Sequence, residues 1–359
     1  MSRYQELSAE LLARPRRWLV TGVAGFIGSH LLEKLLLLDQ EVVGLDNFST
    51  GSRENLEDVK SRVGAVRAAR FRFVEGDIRD PFACSRAMDG VELVLHQAAL
   101  GSVPRSMKDP LSTHASNVDG FVQVLLAGRA AGVRRIVYAS SSSVYGDDPS
   151  EPKVEGVIGQ TLSPYAASKR IDEIYAATFA KSHGLDSVGL RYFNVFGPRQ
   201  DPNGAYAAVI PRWIGQLLAG DTCAVYGDGS TSRDFCYVEN VVQANLLAAC
   251  AASSNALPAV FNVACGDRTS LLELFASIRG YVSAYLPAAA DKTPRLEASR
   301  PGDILHSRAC IDLARARLGY APAHDVSRGL QITVQWYADR AIRRAAKAGT
   351  ADAYTSPRV

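Results

Sequence analysis

Between Arg17 and Arg191 short apolar runs alternate with helical patterns, and this alternation restricts the fold more than any other feature of the chain. Arg17 to Thr21 reads as a strand, Phe26 to Leu38 as a helix, and Glu41 to Leu45 as a second strand closed by Asp46. Phe71 to Glu75 and Leu93 to Gln97 read as the third and fourth strands, the latter running into Ala98 and Ala99. A helix over Asn117 to Ala131, a strand over Ile136 to Ser140, a long helix over Tyr165 to His183 and a strand over Ser187 to Arg191 continue the pattern. Most of the strands are near-continuous apolar runs, not apolar at every second residue. Both their faces are therefore buried, which requires a parallel sheet covered by helices on each side. The expected fold class is α/β, with a doubly wound parallel sheet.

After Asn194 the rhythm breaks. Gly197-Pro198, Pro202-Asn203-Gly204 and Gly227-Asp228-Gly229 mark loops and short elements. Residues 17–194 are expected to form the sheet domain. Residues 195–340 are expected to form mainly a smaller α/β lobe, with segments returning to the first domain. Residues 1–16 read as a helical extension ending at Pro15, residues 51–70 as a charged helical insertion, and residues 341–359 as a polar tail prone to fray.

Charge and cysteine usage exclude several classes. A net charge of +3 over 359 residues is no argument for nucleic acid. The basic cluster Arg14, Arg16 and Arg17 leads straight into a strand and reads as a solvated approach to it. The six cysteines are scattered without CxxC spacing, which fits small core residues in a reducing compartment. No HExxH or Cys/His cluster points to a metal. The N-terminus has no apolar leader and Leu35 to Leu38 is far too short to span a bilayer, so the expected location is the cytoplasm, with no membrane partner.

Gly22, Gly25 and Gly28 lie where the first strand turns into the first long helix of the sheet domain. Gly22 suits a tight turn, Gly25 lets backbone N–H groups approach a pyrophosphate, and Gly28 permits close helix–sheet packing. Phe26 and Ile27 belong to the same helix start. Asp46 ends the next strand, where a carboxylate can bind both ribose hydroxyls of adenosine and repel a 2′-phosphate, favouring NAD over NADP. The sheet is thereby expected to be Rossmann-type. Ligands lie past the carboxyl ends of parallel strands, which adds Asn47, Ser49, Gly51, Asp77, Ile78, Gln97, Ala98 and Ala99 as cofactor candidates, with Asp77 able to accept the adenine amino group.

Tyr165-Ala-Ala-Ser-Lys169 opens the long helix, and residues four apart share a helix face. A lysine there lowers the pKa of the tyrosine, which can then take a proton from a hydroxyl near neutral pH. The run Ser140-Ser-Ser-Ser-Val-Tyr-Gly146 places further hydroxyls at the end of the fifth strand, where a substrate belongs.

Together, Gly22-x-x-Gly25-x-x-Gly28, Asp46-Asn47, Ser-Val-Tyr-Gly, Tyr165-x-x-x-Lys169 and Arg191-Tyr-Phe-Asn194 resemble the extended short-chain dehydrogenases, over roughly residues 17 to 340. Within them the chain is most similar to UDP-hexose 4-epimerases, in particular the branch acting on UDP-N-acetylhexosamines. The resemblance implies tightly bound NAD and interconversion of UDP-GlcNAc and UDP-GalNAc through a 4-keto sugar. It implies Tyr165 as base, Lys169 as its partner and ribose ligand, and Ser141 at the sugar 4-hydroxyl. Related dehydratases and decarboxylases carry an acidic residue where this chain has Ser142 and Ser143, which favours simple epimerisation. It also implies that Asn194, Arg233 and Arg300 hold the diphosphate, Val209 and Tyr226 flank uracil, and Asp303 holds ribose, while the loop Gly101 to Ser106, which follows Ala99, is expected to reach the hexose through Ser102. Guanidinium forks suit phosphate oxygens. Ser307, seven residues after Arg300, would lie beside the C2 substituent and leave room for an acetamide. The same resemblance implies a homodimer formed through the helices over 117–131 and 165–183. The alternatives are a UDP-glucose or UDP-GlcNAc-uronate 4-epimerase, a nucleotide-sugar dehydratase, and an NAD-binding redox sensor that would lack the tyrosine or lysine.

Overall fold

The apolar runs become the strands of one parallel sheet. The computed structural model of the protein describes residues 1–204, 207–256, 259–298, 305–348 and 354. Its strands are β1 (Arg17–Thr21), β2 (Glu41–Asp46), β3 (Phe71–Glu75), β4 (Leu93–His96), β5 (Arg135–Ser141), β6 (Ser187–Tyr192) and β7 (Ala259–Val263). They lie in the order β7-β6-β5-β4-β1-β2-β3. Every neighbouring pair is parallel, with Thr21 opposite Leu45 on one side and His96 on the other. The order reverses between β1 and β4, and the carboxyl ends of those strands open the crevice in which such sheets bind ligands. The fold class expected from the sequence is the one observed.

Helices cover both faces. On one side α1 (Arg3–Ala13), α2 (Phe26–Leu37) and α3 (Arg53–Val63) share a core with the strands, in which Leu31, Leu35, Leu56 and Val59 are buried. On the other, α4 (Pro81–Met88), α5 (Gly120–Ala130) and α6 (Pro164–His183) bury Cys84, Phe121, Val124 and Phe179 against the sheet. The N-terminal extension is docked. Leu7 and Leu11, one turn apart, are buried, and the amide of Gln40 joins Leu11 and Leu38 carbonyls to the Arg16 N–H and the Trp18 indole.

The helix expected over 117–131 is more complex. The short helix Pro110–His114 runs through a π-helical turn, Ala115–Asp119, into α5. Asn117 lies inside that wider turn, is buried, and exchanges hydrogen bonds with the backbone of Leu100 at 2.8 and 3.2 Å. Its amide also donates to Ser168 Oγ on α6.

The second half of the chain builds α7 (Val209–Leu218), α8 (Val238–Cys250), α9 (Leu271–Ser283), α10 (Asp312–Leu318) and α11 (Val326–Ala348). Trp213, Ile214, Phe275, Ile278 and Val334 form a third core beneath the smaller lobe. The segment returns to the sheet as β7, and α8 packs beneath the strands, with Val241 and Ala248 buried among residues of the first core. Among the described residues, no helix is long and apolar enough to cross a membrane.

Candidate active site

The glycine loop is built as close packing requires. Gly22 adopts φ 68°, and a Cβ there would sit 2.7 Å from the backbone nitrogen of Ala98. A Cβ on Gly28 would sit 2.1 Å from the Gly22 carbonyl oxygen. Neither position admits a side chain. Gly25 caps α2 without a side-chain hydrogen bond, so the first-turn N–H groups of Phe26 and Ile27 have no side-chain acceptor from the cap, as anion binding at a helix N-terminus requires. Gly51 lies against the same loop, where a Cβ would come 2.8 Å from the Ala24 carbonyl carbon.

Asp46 braces this loop. Its carboxylate accepts from the Ala24 N–H at 2.9 Å and the Phe48 N–H at 2.7 Å. Burial pushes the carboxyl above its ordinary range, against those hydrogen bonds. Each oxygen keeps a further lone pair for a ribose hydroxyl. One cleft is lined by Gly22, Asp46, Asn47, Ser49, Asp77, Ile78, Ala98 and Ala99, all nominated from sequence, and by Thr50, Leu100 and Ser116, which were not.

Two nominated side chains are engaged differently from the expectation. Asp77 accepts from Arg79 through N–H, Nε and Nη2 and from Asn47 Nδ2, and hydrogen bonding to Arg79 against burial draws its carboxyl down to about 2. Its acceptor capacity is spent on ordering the rim, so the adenine amino group expected there has no vacant oxygen lone pair to meet. Gln97 donates to Asn245 at 3.1 Å and accepts from the Tyr192 hydroxyl at 3.1 Å, which fixes its amide against α8 and β6.

At the far end of the crevice, Ser163 caps α6 through the Ala166 N–H, with Pro164 in the first turn. Tyr165 is half-buried, and Lys169, one turn on, is buried. The serines are sorted by burial. Ser140 is buried and donates to Glu173 at 2.7 Å, so it belongs to the framework. Ser141 ends β5, is half-buried, and accepts from the Ser143 N–H at 3.2 Å and the Ser143 hydroxyl at 2.9 Å. Ser142 and Ser143 are also half-buried, in the 3-10 turn Ser142–Tyr145. Three hydroxyls thus cluster at the end of β5, in a turn that packs against α6.

The bridging role of Asn117 was not read from the sequence. The residue ties the loop after β4 to α6, and its sequence signal was a polar residue inside an apolar helical pattern.

In the lobe, Arg233 and Ser307 are directly paired residues of the parallel strands Ser232–Arg233 and His306–Ser307. Asn194 adopts φ 34° and donates to the Asp234 carbonyl at 3.0 Å. Val209 is the first residue of α7, and Tyr226 ends the strand Ala224–Tyr226, both half-buried. Ser102 has φ 112° and caps the short helix Val103–Lys108 through the Arg105 N–H. Arg300 and Asp303 lie outside the described residues. A wider cleft lined by Trp336, Arg340 and Arg344 of α11 shares Phe26 and Thr50 with this region but contains none of the serine run and neither Tyr165 nor Lys169.

Residues 18–264 match the model of the NAD dependent epimerase/dehydratase family. The chain is 38% identical over 326 residues to a UDP-glucose 4-epimerase of Mycolicibacterium smegmatis, covering 90% of this chain and 99% of that one. The structure of a UDP-N-acetylglucosamine 4-epimerase from Methanobrevibacter ruminantium, in complex with UDP-N-acetylmuramic acid, superposes with a TM-score of 0.82 at 36% identity, covering 91% and 99% of the two chains. A UDP-glucuronic acid 4-epimerase from Bacillus cereus, in complex with UDP-glucuronic acid and NAD, superposes with a TM-score of 0.79 at 29% identity, covering 90% and 99%.

Proposed function

The chain belongs to the NAD dependent epimerase/dehydratase family and is an NAD-dependent UDP-sugar 4-epimerase, and from that premise we propose that it interconverts UDP-N-acetylglucosamine and UDP-N-acetylgalactosamine. The observation that carries the N-acetyl preference is Ser307, a small side chain in register with Arg233. A diphosphate held at Arg233 brings the sugar past Ser307, where an acetamide needs space. The relative from Methanobrevibacter ruminantium, solved with a UDP-N-acetylated sugar, supports the same reading. The deciding assay incubates the protein with UDP-GlcNAc, UDP-glucose and UDP-GlcNAc uronate and follows the 4-epimer of each. Turnover of UDP-glucose or of the uronate alone would replace this assignment.

The groove from Gly22 to Ala99 and the start of α2 fit NAD. A pyrophosphate would lie on the Phe26 and Ile27 N–H groups, adenosine ribose on Asp46, and the nicotinamide ribose near Lys169. When bound, NAD supplies reversible oxidation at the sugar C4. The protein's own groups move the proton: Tyr165 accepts it from the 4-hydroxyl, and Ser141 holds that hydroxyl in place. Asn194 and Arg233, with Arg300, would hold the diphosphate, and Val209 and Tyr226 the uracil. Because the cycle neither gains nor loses reducing equivalents, purified protein is expected to carry NAD without addition. Denaturing it and assaying the supernatant checks this, and strict dependence on added NADP would count against it.

Ser307→Tyr is expected to lower kcat/KM for UDP-GlcNAc at least tenfold more than for UDP-glucose, since overpacking costs about 1–3 kcal/mol. An unchanged ratio would remove Ser307 as gatekeeper. The chain is also proposed to dimerise. Leu126 on α5 and Ile174 and Tyr175 on α6 are exposed large hydrophobics, 42%, 52% and 39% accessible, on the pair of helices expected to meet a second copy. Light scattering should give a dimer at micromolar concentration, and a monomer would reject the assignment.

A further inference from the structure

Lys169 is already paired. Its Nζ donates to Asp172 Oδ2 at 3.1 Å, and the two side chains are 2% and 1% exposed. The other carboxylate oxygen, Asp172 Oδ1, is buried with no hydrogen-bond partner in the structure. A buried carboxylate held by a single ammonium is tied electrostatically to that ammonium.

The titratable groups around this pair are either paired with other residues or held neutral. On α6 itself, Glu173 is held by Arg191 of β6, by Arg170 and by Ser140. From β5, Tyr138 is raised far above its ordinary range by burial and by both carboxylates, and stays neutral. From β4, His96 is bonded to Thr21 and pushed down to about 3 by burial and by the charge of Lys169, so it too stays neutral. Tyr145, in the 3-10 turn, is raised to about 12 by burial. The helices Val103–Lys108 and Pro110–His114 bring the basic side chains of Arg105 and Lys108, and His114, which is exposed, 3.8 Å from Asp119. Asp172 is different: burial pushes it up to about 6 against the pull of Lys169, within the working range of an enzyme.

We propose that Asp172 is a positioning residue for the epimerisation: it holds the Lys169 ammonium and offsets part of its charge, and so sets the pH at which Tyr165 becomes the base. This rests on the reading that Tyr165 is the base and Lys169 its partner. An ammonium opposed by a carboxylate favours the phenolate less than an unopposed one. Neutralising Asp172 therefore lets Tyr165 ionise at lower pH. In the wild type, protonation of Asp172 does the same as the solution becomes more acidic, so the acid limb of the rate profile is shallower than a single ionisation gives.

The test is the pH profile of kcat for the wild type and Asp172→Asn, which keeps the shape and removes the charge, with whichever UDP-sugar turns over. The expected result is an acid limb displaced downward by about one pH unit and steepened to unit slope, the scale of one charge acting over several ångströms in a protein interior. A lower kcat with a superimposable acid limb would show a merely structural role and overturn the proposal. If the Asn variant does not accumulate as folded, NAD-containing protein, the wild-type profile decides: a limb of unit slope overturns the proposal and a shallow one supports it. Tyr165→Phe separates the two readings. Near-normal turnover in that variant rejects the parent assignment, whereas an inactive Phe variant beside an unmoved Asp172→Asn profile rejects only the role of Asp172.

Discussion

Tyr165→Phe is expected to lower kcat for 4-epimerisation by about 10²-fold or more while UDP-sugar binding survives, the scale of losing a general base. The substitution keeps the ring that packs at the start of α6 and removes only the ionisable hydroxyl. Tyr165 is half-buried in the first turn, held there by the Ser163 cap, so the helix has no structural need of the phenol. Comparing kcat with the dissociation constant of the UDP-sugar separates the two contributions. A variant that turns over normally would pass the role to another group, and Ser141 is the hydroxyl nearest in kind. Ser141→Ala is expected to cost less, because Ser142 and Ser143 remain beside it.

Glu173→Ala is expected to cost about 3–5 kcal/mol of stability, the scale of breaking one side of a buried ion pair. The carboxylate is 1% exposed and receives Arg191 Nε at 2.8 Å, Arg191 Nη2 at 2.9 Å, Arg170 Nη1 at 2.9 Å and the Ser140 hydroxyl at 2.7 Å. Its removal leaves the buried Arg191 guanidinium with the Glu155 carbonyl and the Tyr145 ring but no carboxylate from Glu173. Burial alone would raise the Glu173 carboxyl, but the hydrogen bonds from Arg191, Ser140 and Arg170 hold it below its ordinary value. A folded-state pKa below the unfolded one means that this stabilisation is present above the unfolded value, near 4.3, and is lost as pH falls through the folded value. Urea denaturation at pH 7 and at pH 4 measures both effects. A loss below about 1 kcal/mol at pH 7 would show that the cluster is not a structural anchor.

The parallel sheet was legible because full burial of a strand leaves a near-continuous apolar run, as in β2 and β6, whereas the edge strand β3, with Arg72 and Glu75 exposed, carries a weaker pattern. The boundaries that moved did so by a residue or so: β4 ends at His96 and β5 starts at Arg135, which is buried because its guanidinium reaches carbonyls at Ala248 and Ala251. Such distant acceptors leave no trace in local pattern. The glycine loop was readable because geometry forces the residue type. The partners of polar side chains were not. Tyr165 and Lys169 announce a shared face by their spacing, but nothing in Asp77 or Gln97 says that Asp77 is taken up by Arg79 and Asn47, or that the Gln97 amide donates to Asn245 and accepts from Tyr192. Ser140 and Ser141 are neighbours of one type, and only the alternation of a strand's two faces separates the framework hydroxyl from the accessible one.

The strand Ala259–Val263 is made long after the rest of the sheet and pairs with β6 along its whole length, from Ala259 opposite Val188 to Val263 opposite Tyr192. Its Asn262 closes a knot of contacts, receiving the Tyr145 hydroxyl and donating to the Lys153 and Cys310 carbonyls. During synthesis, β6 therefore leaves the ribosome as an open sheet edge and stays one until some seventy further residues have followed. A fragment cut after residue 194 would keep that edge permanently, a strand buried at every position with no neighbour to cover it, and such edges recruit other chains. Residues 17–194 are thus no portable module: evolution could vary the smaller lobe around β7 but could not exchange it wholesale without supplying a strand of the same register.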